Sequence, residues 1–246
     1  MKTETVFGIH AVQSLLKTAP QRICELLVVK DRHDQRIKKL LEAAQNHNIK
    51  PRLVDKRELD GVCDGGTHQG VVALAQPGKH YDEKSLMDLI DASSEDPFIL
   101  VLDGVTDPHN LGACMRSADA AGVHAVVIPK DNSASLNETA RKVACGAAET
   151  VPLVVVTNLA RALKKMQEKG LWIAGAAGEA EQDIFQASLG GPRVIVMGAE
   201  GDGMRRLTRE TCDELVKIPM QGAVSSLNVS VATGVVLFEV VRQRRL

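Results

Sequence analysis

Aromatic residues are nearly absent from this chain: one Trp, one Tyr and four Phe among 246 residues. Its core must therefore be built from Val, Leu, Ile, Ala and Met, and few aromatics are left for a module that stacks bases on a sheet, so recognition is expected to rest on Arg/Lys contacts and on shape. Cysteine is sparse and unpaired in pattern. Cys24, Cys63, Cys114, Cys145 and Cys212 are scattered, odd in number and never spaced C-x-x-C. That argues against a zinc site or a disulfide framework and for reduced thiols in a cytosol. Long apolar runs are missing as well. The longest stretches, such as 151–156, are far too short to cross a bilayer. The opening Met-Lys-Thr-Glu-Thr leads into no apolar segment, so no signal peptide and a cytoplasmic location are expected. No charge dominates, with 30 Lys+Arg against 31 Asp+Glu.

What is present is an ordinary globular composition, 44% hydrophobic and 25% charged. Residues 1–77 read as a small α/β domain. A helical pattern starts at Gly8 (Ile9, Val12, Leu15, Leu16), a strand spans 23–29, and Ile37, Leu40, Leu41 and Ala44 mark a second amphipathic helix. Short strands near 51–54 and 70–74 flank a helical turn at 56–63. Residues 1–70 hold 12 basic against 9 acidic side chains, and four of the seven histidines (His10, His33, His47, His68). This imbalance fits a phosphate-facing surface, and equally an ordinary solvated one. Residues 78–97 are more polar, with one helical pattern at Leu86, Leu89 and Ile90, and read as a linker.

From Phe98 to the end the pattern is βα. Strands are predicted over 98–102, 125–128, 151–156, 171–176, 194–197 and 214–218, and helices over 111–121, 137–148, 159–169 and 229–241. Short, unalternating Val/Ile/Leu strands between helices imply a parallel sheet covered on both faces. Ligands of such sheets bind beyond the carboxyl ends of the strands.

Three segments follow strands there. In Asp107-Pro-His-Asn-Leu-Gly-Ala-Cys-Met-Arg116, Asn110 is a helix N-cap and Arg116 lies less than two turns further on. A capped helix with a solvent-facing arginine explains this segment equally well. Met197-Gly-Ala-Glu-Gly-Asp-Gly203 packs three glycines into six residues, which permits close backbone approach to a ligand. Its spacing is neither G-x-G-x-x-G nor a Walker loop, and Glu200 would repel a phosphate, so NAD and ATP readings are weak. In 218–232, Ser225, Ser226, Asn228 and Ser230 crowd the start of a long apolar helix. One cap would suffice, so the surplus points to function. Asp107 and His109 lack a third ligand, and no metal is expected.

Together the segments resemble the SpoU family of RNA ribose methyltransferases, part of the SPOUT superfamily. The motifs are Asn110-Leu-Gly-Ala-x-x-Arg116, Gly198-Ala-Glu-Gly-x-Gly203 and Ile218-Pro-Met-x-Gly-x-x-x-Ser226-Leu-Asn-Val-Ser-x-Ala232, in that order. Phe7-Gly-Ile-His-Ala-Val-Gln-Ser-Leu-Leu is similar to the start of the family's small RNA-binding domain. The resemblance implies an α/β protein with an N-terminal RNA substrate-binding domain (1–77), a linker (78–97) and a SPOUT methyltransferase domain (98–246) closed by a deep trefoil knot. It implies S-adenosylmethionine as methyl donor, held near Gly198, Ile218 and Leu227, and a homodimer with the active site near its interface. Asn110, Arg116, Glu200, Ser226 and Asn228 become the expected catalytic set. Asn110 and Asn228 would orient Arg116 and the substrate. Glu200 would pair with Arg116 or anchor the donor, and Ser226 would bond the target nucleotide.

Whole-chain likeness points to the ribose 2′-hydroxyl of a guanosine in 23S ribosomal RNA. A transfer RNA ribose methyltransferase, or a catalytically silent RNA-binding assembly factor, are the alternatives. RNA contact is expected from Arg32, Arg36, Lys38 and Lys39.

Overall fold

The structure is a computed structural model that describes every residue except 1, 2, 31, 33, 64 and 246, so His33 lies outside the described residues. The chain divides into two compact units, Met1–Lys79 with Cys145–Thr150, and His80–Ala144 with Val151–Leu246.

The first unit runs β1 (Glu4–Phe7), α1 (Ile9–Thr18), β2 (Ile23–Val29), α2 (Gln35–Asn46), β3 (Pro51–Val54), α3 (Lys56–Val62) and β4 (Val71–Ala75). Its sheet has the order β1-β4-β2-β3, with β4 antiparallel to both neighbours and β2 parallel to β3. Successive residues of β2 face opposite ways, as a pleated strand requires. Leu26 and Val28 join Val12 and Leu15 of α1 and Ile37 and Leu40 of α2. Leu27 joins Val54, Leu59 and Val72 in a second cluster. Asp34 starts α2 by accepting from the amides of Arg36 and Ile37. Cys145–Thr150 packs into this unit, where Ser14 Oγ donates to the Gly146 carbonyl at 3.1 Å and Arg22 pairs with Glu149 at 2.9 Å.

The second unit contains α4 (Glu83–Ala92), β5 (Phe98–Asp103), α5 (Pro108–Ala120), β6 (Ala125–Pro129), α6 (Glu138–Val143), β7 (Leu153–Val156), α7 (Leu159–Glu168), β8 (Trp172–Ala176), β9 (Gln182–Asp183), β10 (Arg193–Gly198), α8 (Arg206–Thr211), β11 (Glu214–Lys217) and α9 (Val229–Arg244). Its seven strands are all parallel, in the order β7-β6-β5-β10-β8-β11-β9. One face carries Ile99, Val101, Val127, Val154 and Val196 against Leu159, Leu163 and Met166 of α7 and Leu86 and Ile90 of α4. On the other, α5 packs against α6 and α9 and contacts β6, and α9 contacts β10. Every residue of β5 is buried, which accounts for its unbroken apolar run. No helix among the described residues is long and apolar enough to cross a membrane.

Helices α5 and α6 depart from the expected bounds, and α9 runs three residues past 241, to Arg244. Helix α5 begins three residues before 111, because Asp107 rather than Asn110 caps it: Asp107 accepts from the His109 amide at 2.9 Å, and Pro108 fills a first-turn position that needs no N–H. Helix α6 stops at Val143, well short of 148, because Cys145 and Gly146 turn to positive φ (51° and 98°) and lead into a single 3₁₀ turn.

Candidate active site

Strand β10 lies between β5 and β8, so chain segments nearly a hundred residues apart end side by side. The register sets Gly198 beside Asp103 at the carboxyl ends of β10 and β5. Beyond Gly198 the chain turns back on itself: Ala199 and Gly203 exchange backbone hydrogen bonds of 3.0 and 3.1 Å, and Gly201 and Gly203 hold φ of 84° and 68°. A Cβ at Gly198 would lie 2.2 Å from the Gly203 carbonyl carbon and 2.3 Å from the Met204 nitrogen. Only glycine fits, and the loop is closed at its neck.

Asp103 secures the far end of this loop. It is fully buried, and its carboxylate accepts from Arg205 Nε at 2.6 Å and from the Arg205 amide at 2.9 Å. Sequence reading missed this pair. Its one signal was a carboxylate closing an otherwise apolar strand, Phe-Ile-Leu-Val-Leu-Asp103.

The loop presents Glu200 to the start of α9. Asn228 caps that helix, its Oδ1 accepting from the amide of Ser230 at 2.9 Å and its hydroxyl at 2.6 Å. The amide nitrogen of Asn228 is thereby turned the other way and gives both hydrogens to the site. One goes to Asn110 Oδ1 at 3.0 Å and the other to Glu200 Oε1, which also accepts from the Val229 amide at 3.3 Å. A carboxylate at the first turn of a helix is further favoured by the helix dipole. Because Asp107 does the capping on α5, Asn110 is free for this contact. Gly112 in turn lets α5 approach α6, since a Cβ there would sit 2.5 Å from the Ala140 carbonyl oxygen.

Gly198, Ile218 and Leu227 line one cavity of about 1070 Å³, together with Glu200, Ser226 and Asn228. Ser226 is exposed on its wall. Arg116 is exposed on α5, does not line the cavity, and has no hydrogen-bond or ion-pair partner among the described residues. Glu200 bonds Asn228, not Arg116. Near the loop, Cys212 is in the neighbourhood of Gly175 and Met204. Burial, with Asp213 and then Asp103 adding their charge, pushes its thiol up to about 12, so it stays protonated and is no nucleophile.

Residues 97–238 match the SpoU rRNA Methylase family, and residues 5–81 match the RNA 2′-O ribose methyltransferase substrate binding domain. The chain belongs to the SpoU rRNA methylase family. Several relatives carry the name 23S rRNA (guanosine-2′-O-)-methyltransferase RlmB. That of Escherichia coli K12 is 59% identical over 242 residues, covering 98% of this chain and 99% of its own. That of Photorhabdus laumondii is 60% identical over 242 residues with the same coverage. Among solved structures, the SpoU methyltransferase AviRb of Streptomyces viridochromogenes, in complex with the cofactor AdoMet, superimposes with a TM-score of 0.78 at 22% identity, over 98% of this chain and 90% of that one. At that identity the likeness shows a shared fold. In SpoU terms, the cavity is framed by the second and third motifs, and Asn110 of the first reaches it through Asn228.

Proposed function

We propose that this chain transfers a methyl group from S-adenosylmethionine to the ribose 2′-hydroxyl of a guanosine in 23S ribosomal RNA. The observation that carries the reading is the junction of Asn110, Glu200 and Asn228 at the cavity lined by Gly198, Ile218 and Leu227. The near-full-length identity to the two relatives of that activity supports the choice of substrate.

The cavity suits the donor. Its volume, about 1070 Å³, is at the upper end for small-molecule sites. Met197, Met220 and Leu227 offer apolar wall, Gly198 and Gly203 expose backbone, and Glu200 favours a cation where it would repel a phosphate. Bound there, the donor supplies an electrophilic methyl group; the protein supplies alignment and charge.

A ribose hydroxyl is a poor nucleophile near neutral pH, so in-line placement and relief of developing negative charge set the rate. The Asn228 amide, fixed at both ends, holds Glu200 and Asn110 in one arrangement. Ser226 faces the target nucleotide. Arg116 is the charge stabiliser: a guanidinium is not deprotonated in proteins, so it steadies the forming alkoxide and an adjacent phosphate rather than acting as base. Its exposed, unpartnered state leaves its donors available. Such stabilisation is worth roughly 3–4 kcal/mol.

The rest of the assignment follows the family. Residues 1–77 bind RNA, with Arg36, Lys38 and Lys39 exposed along α2; Arg32 is already engaged with Asp34 and the Gln69 carbonyl. Residues 78–97 lead from them into the catalytic domain, 98–246, whose sheet α4 already packs against. The C-terminal segment forms the deep trefoil knot, in keeping with the return of α9 onto α5, where Cys114 Sγ lies 3.5 Å from Thr233 Oγ1. The protein works in the cytoplasm as a homodimer. Val231 and Phe238, 53% and 49% exposed and seven residues apart on one face of α9, support a buried partner surface there.

Calorimetric titration with S-adenosylmethionine tests the reading against a catalytically silent RNA-binding factor. Saturable binding of one donor per chain is expected; no binding would reject the enzyme.

A further inference from the structure

The Asp103–Arg205 pair has a second side. Asp103 is wholly buried, whereas the Arg205 side chain is 49% exposed. The carboxylate takes Nε and the backbone amide of Arg205 and nothing of its Nη groups. Neither Nη group has a partner among the described residues. A buried acid thus grips one edge of a planar guanidinium and leaves the other edge to solvent.

Two readings compete. A latch that only closes the 199–205 loop would need the amide contact and little more, and a solvated guanidinium loses much of its freedom in being held. A phosphate-binding arginine needs what is present: a guanidinium whose plane and direction are fixed beforehand, with donors in a fork that fits two phosphate oxygens. The position suits it. Asp103 ends β5 beside Gly198 of β10, the same strand that opens the Glu200 loop, and the chain from Asp103 leads within seven residues to Asn110. Neighbouring arginines are spent: Arg206 bonds Glu210 and Arg209 pairs with Glu179. Acidic side chains Glu200 and Asp202 lie on the loop itself, so an RNA strand arriving at the cavity needs a local cation to offset them.

We propose that Arg205, held by Asp103, is a contact for a backbone phosphate of the substrate RNA beside the cavity, with Asp103 as its positioning residue. The proposal rests on the RNA-methyltransferase reading above. At contact distance the exposed edge of the Arg205 guanidinium is nearer an incoming phosphate than the buried Asp103 carboxylate, so it acts as the local cation while its direction is fixed from behind.

The test uses the full chain with unmethylated 23S ribosomal RNA. Arg205→Gln, Arg205→Lys and the double variant Asp103→Asn/Arg205→Gln are compared with the native protein. The double variant leaves no lone buried carboxylate, so it remains informative where Arg205→Gln fails to fold. RNA affinity is measured across salt concentration, KM and kcat in steady state, and donor affinity by calorimetry. Loss of the contact is expected to weaken RNA binding about tenfold and to make the salt dependence shallower by about one unit of log–log slope. KM should rise while kcat changes by less than about threefold, as for binding shared by ground and transition states. Arg205→Lys should restore the slope but only part of the affinity. Donor affinity should be unchanged in Arg205→Lys and Arg205→Gln, which keep Asp103 on the backbone amide of the loop. Native RNA affinity and slope in the variants would overturn the proposal, and so would loss of donor binding in step with RNA binding, which marks a loop latch. Failure of the native protein itself to bind donor would instead overturn the methyltransferase reading.

Discussion

Asn110 and Asn228 stand 118 residues apart in the chain, and the Asn228 side-chain amide donates to Asn110 Oδ1 at 3.0 Å. The same amide nitrogen reaches Glu200, and its oxygen caps α9. One side chain thus joins three motifs while starting a helix, and every polar atom of it is used.

That double duty can be separated. Aspartate caps a helix as well as asparagine does, so Asn228→Asp should keep stability within about 1 kcal/mol of native. It replaces both N–H donors with a carboxylate facing Glu200, which breaks the junction and adds like-charge repulsion. Methyl transfer should fall by about 100-fold. Denaturant unfolding with single-turnover kinetics makes the comparison; a fully active Asp variant would remove Asn228 from the site.

Gly198→Ala places a methyl group against the backbone of Gly203 and Met204, where no side chain can move aside. A cost of roughly 1–3 kcal/mol is expected, with donor affinity reduced more than tenfold because the cavity wall shifts. Calorimetry on the folded variant is the measurement. Gly190, around which a Cβ meets nothing within 4 Å, is the control.

Arg116→Lys keeps the charge and loses the planar fork. Because Arg116 is exposed and unpartnered, Tm should be unchanged. The rate should fall by about 100- to 1000-fold if the fork steadies an alkoxide. Wild-type turnover by the lysine enzyme would contradict that role.

Buried Cys114 and partly buried Cys212 set an alkaline limit. Burial pushes Cys114 up to about 11, the Thr233 hydroxyl opposing it weakly, and Cys212 up to about 12. Both stay neutral in the fold, while an unfolded chain ionises them near 8.5. Their contribution to stability is therefore complete below about pH 8.5 and is lost as pH rises through the folded values. Urea unfolding between pH 8 and 10.5 should show this decline, and Cys212→Ala should flatten it. Iodoacetamide at pH 8 should modify exposed Cys24 and spare Cys114 and Cys212.

The sheet was legible where burial is two-sided. Phe98–Asp103, Ala125–Pro129 and Arg193–Gly198 are wholly or almost wholly buried, and an unbroken apolar run is what such strands require. Strand β1, four residues on a sheet edge, and β9, two residues, are too short to carry a period. The cap of α5 was misplaced because Asp107 and Asn110 have similar local chemistry; Asp107, followed by Pro108, takes the cap and leaves Asn110 to Asn228. Asp103 and Arg205 escaped because their bond spans 102 residues, and neither lies in a motif that marks it. Pattern reading located the loops that meet; which atoms face one another is decided by the order of the strands.

Everything proposed for the cavity turns on a ribose oxygen of ribosomal RNA receiving the methyl group. The direct measurement supplies the protein with methyl-tritiated S-adenosylmethionine and unmethylated 23S ribosomal RNA, then digests the product to nucleosides and separates them. The label is expected to travel as 2′-O-methylguanosine and to be absent when transfer RNA is the substrate. Label on a base, or incorporation into transfer RNA but not 23S RNA, would contradict it.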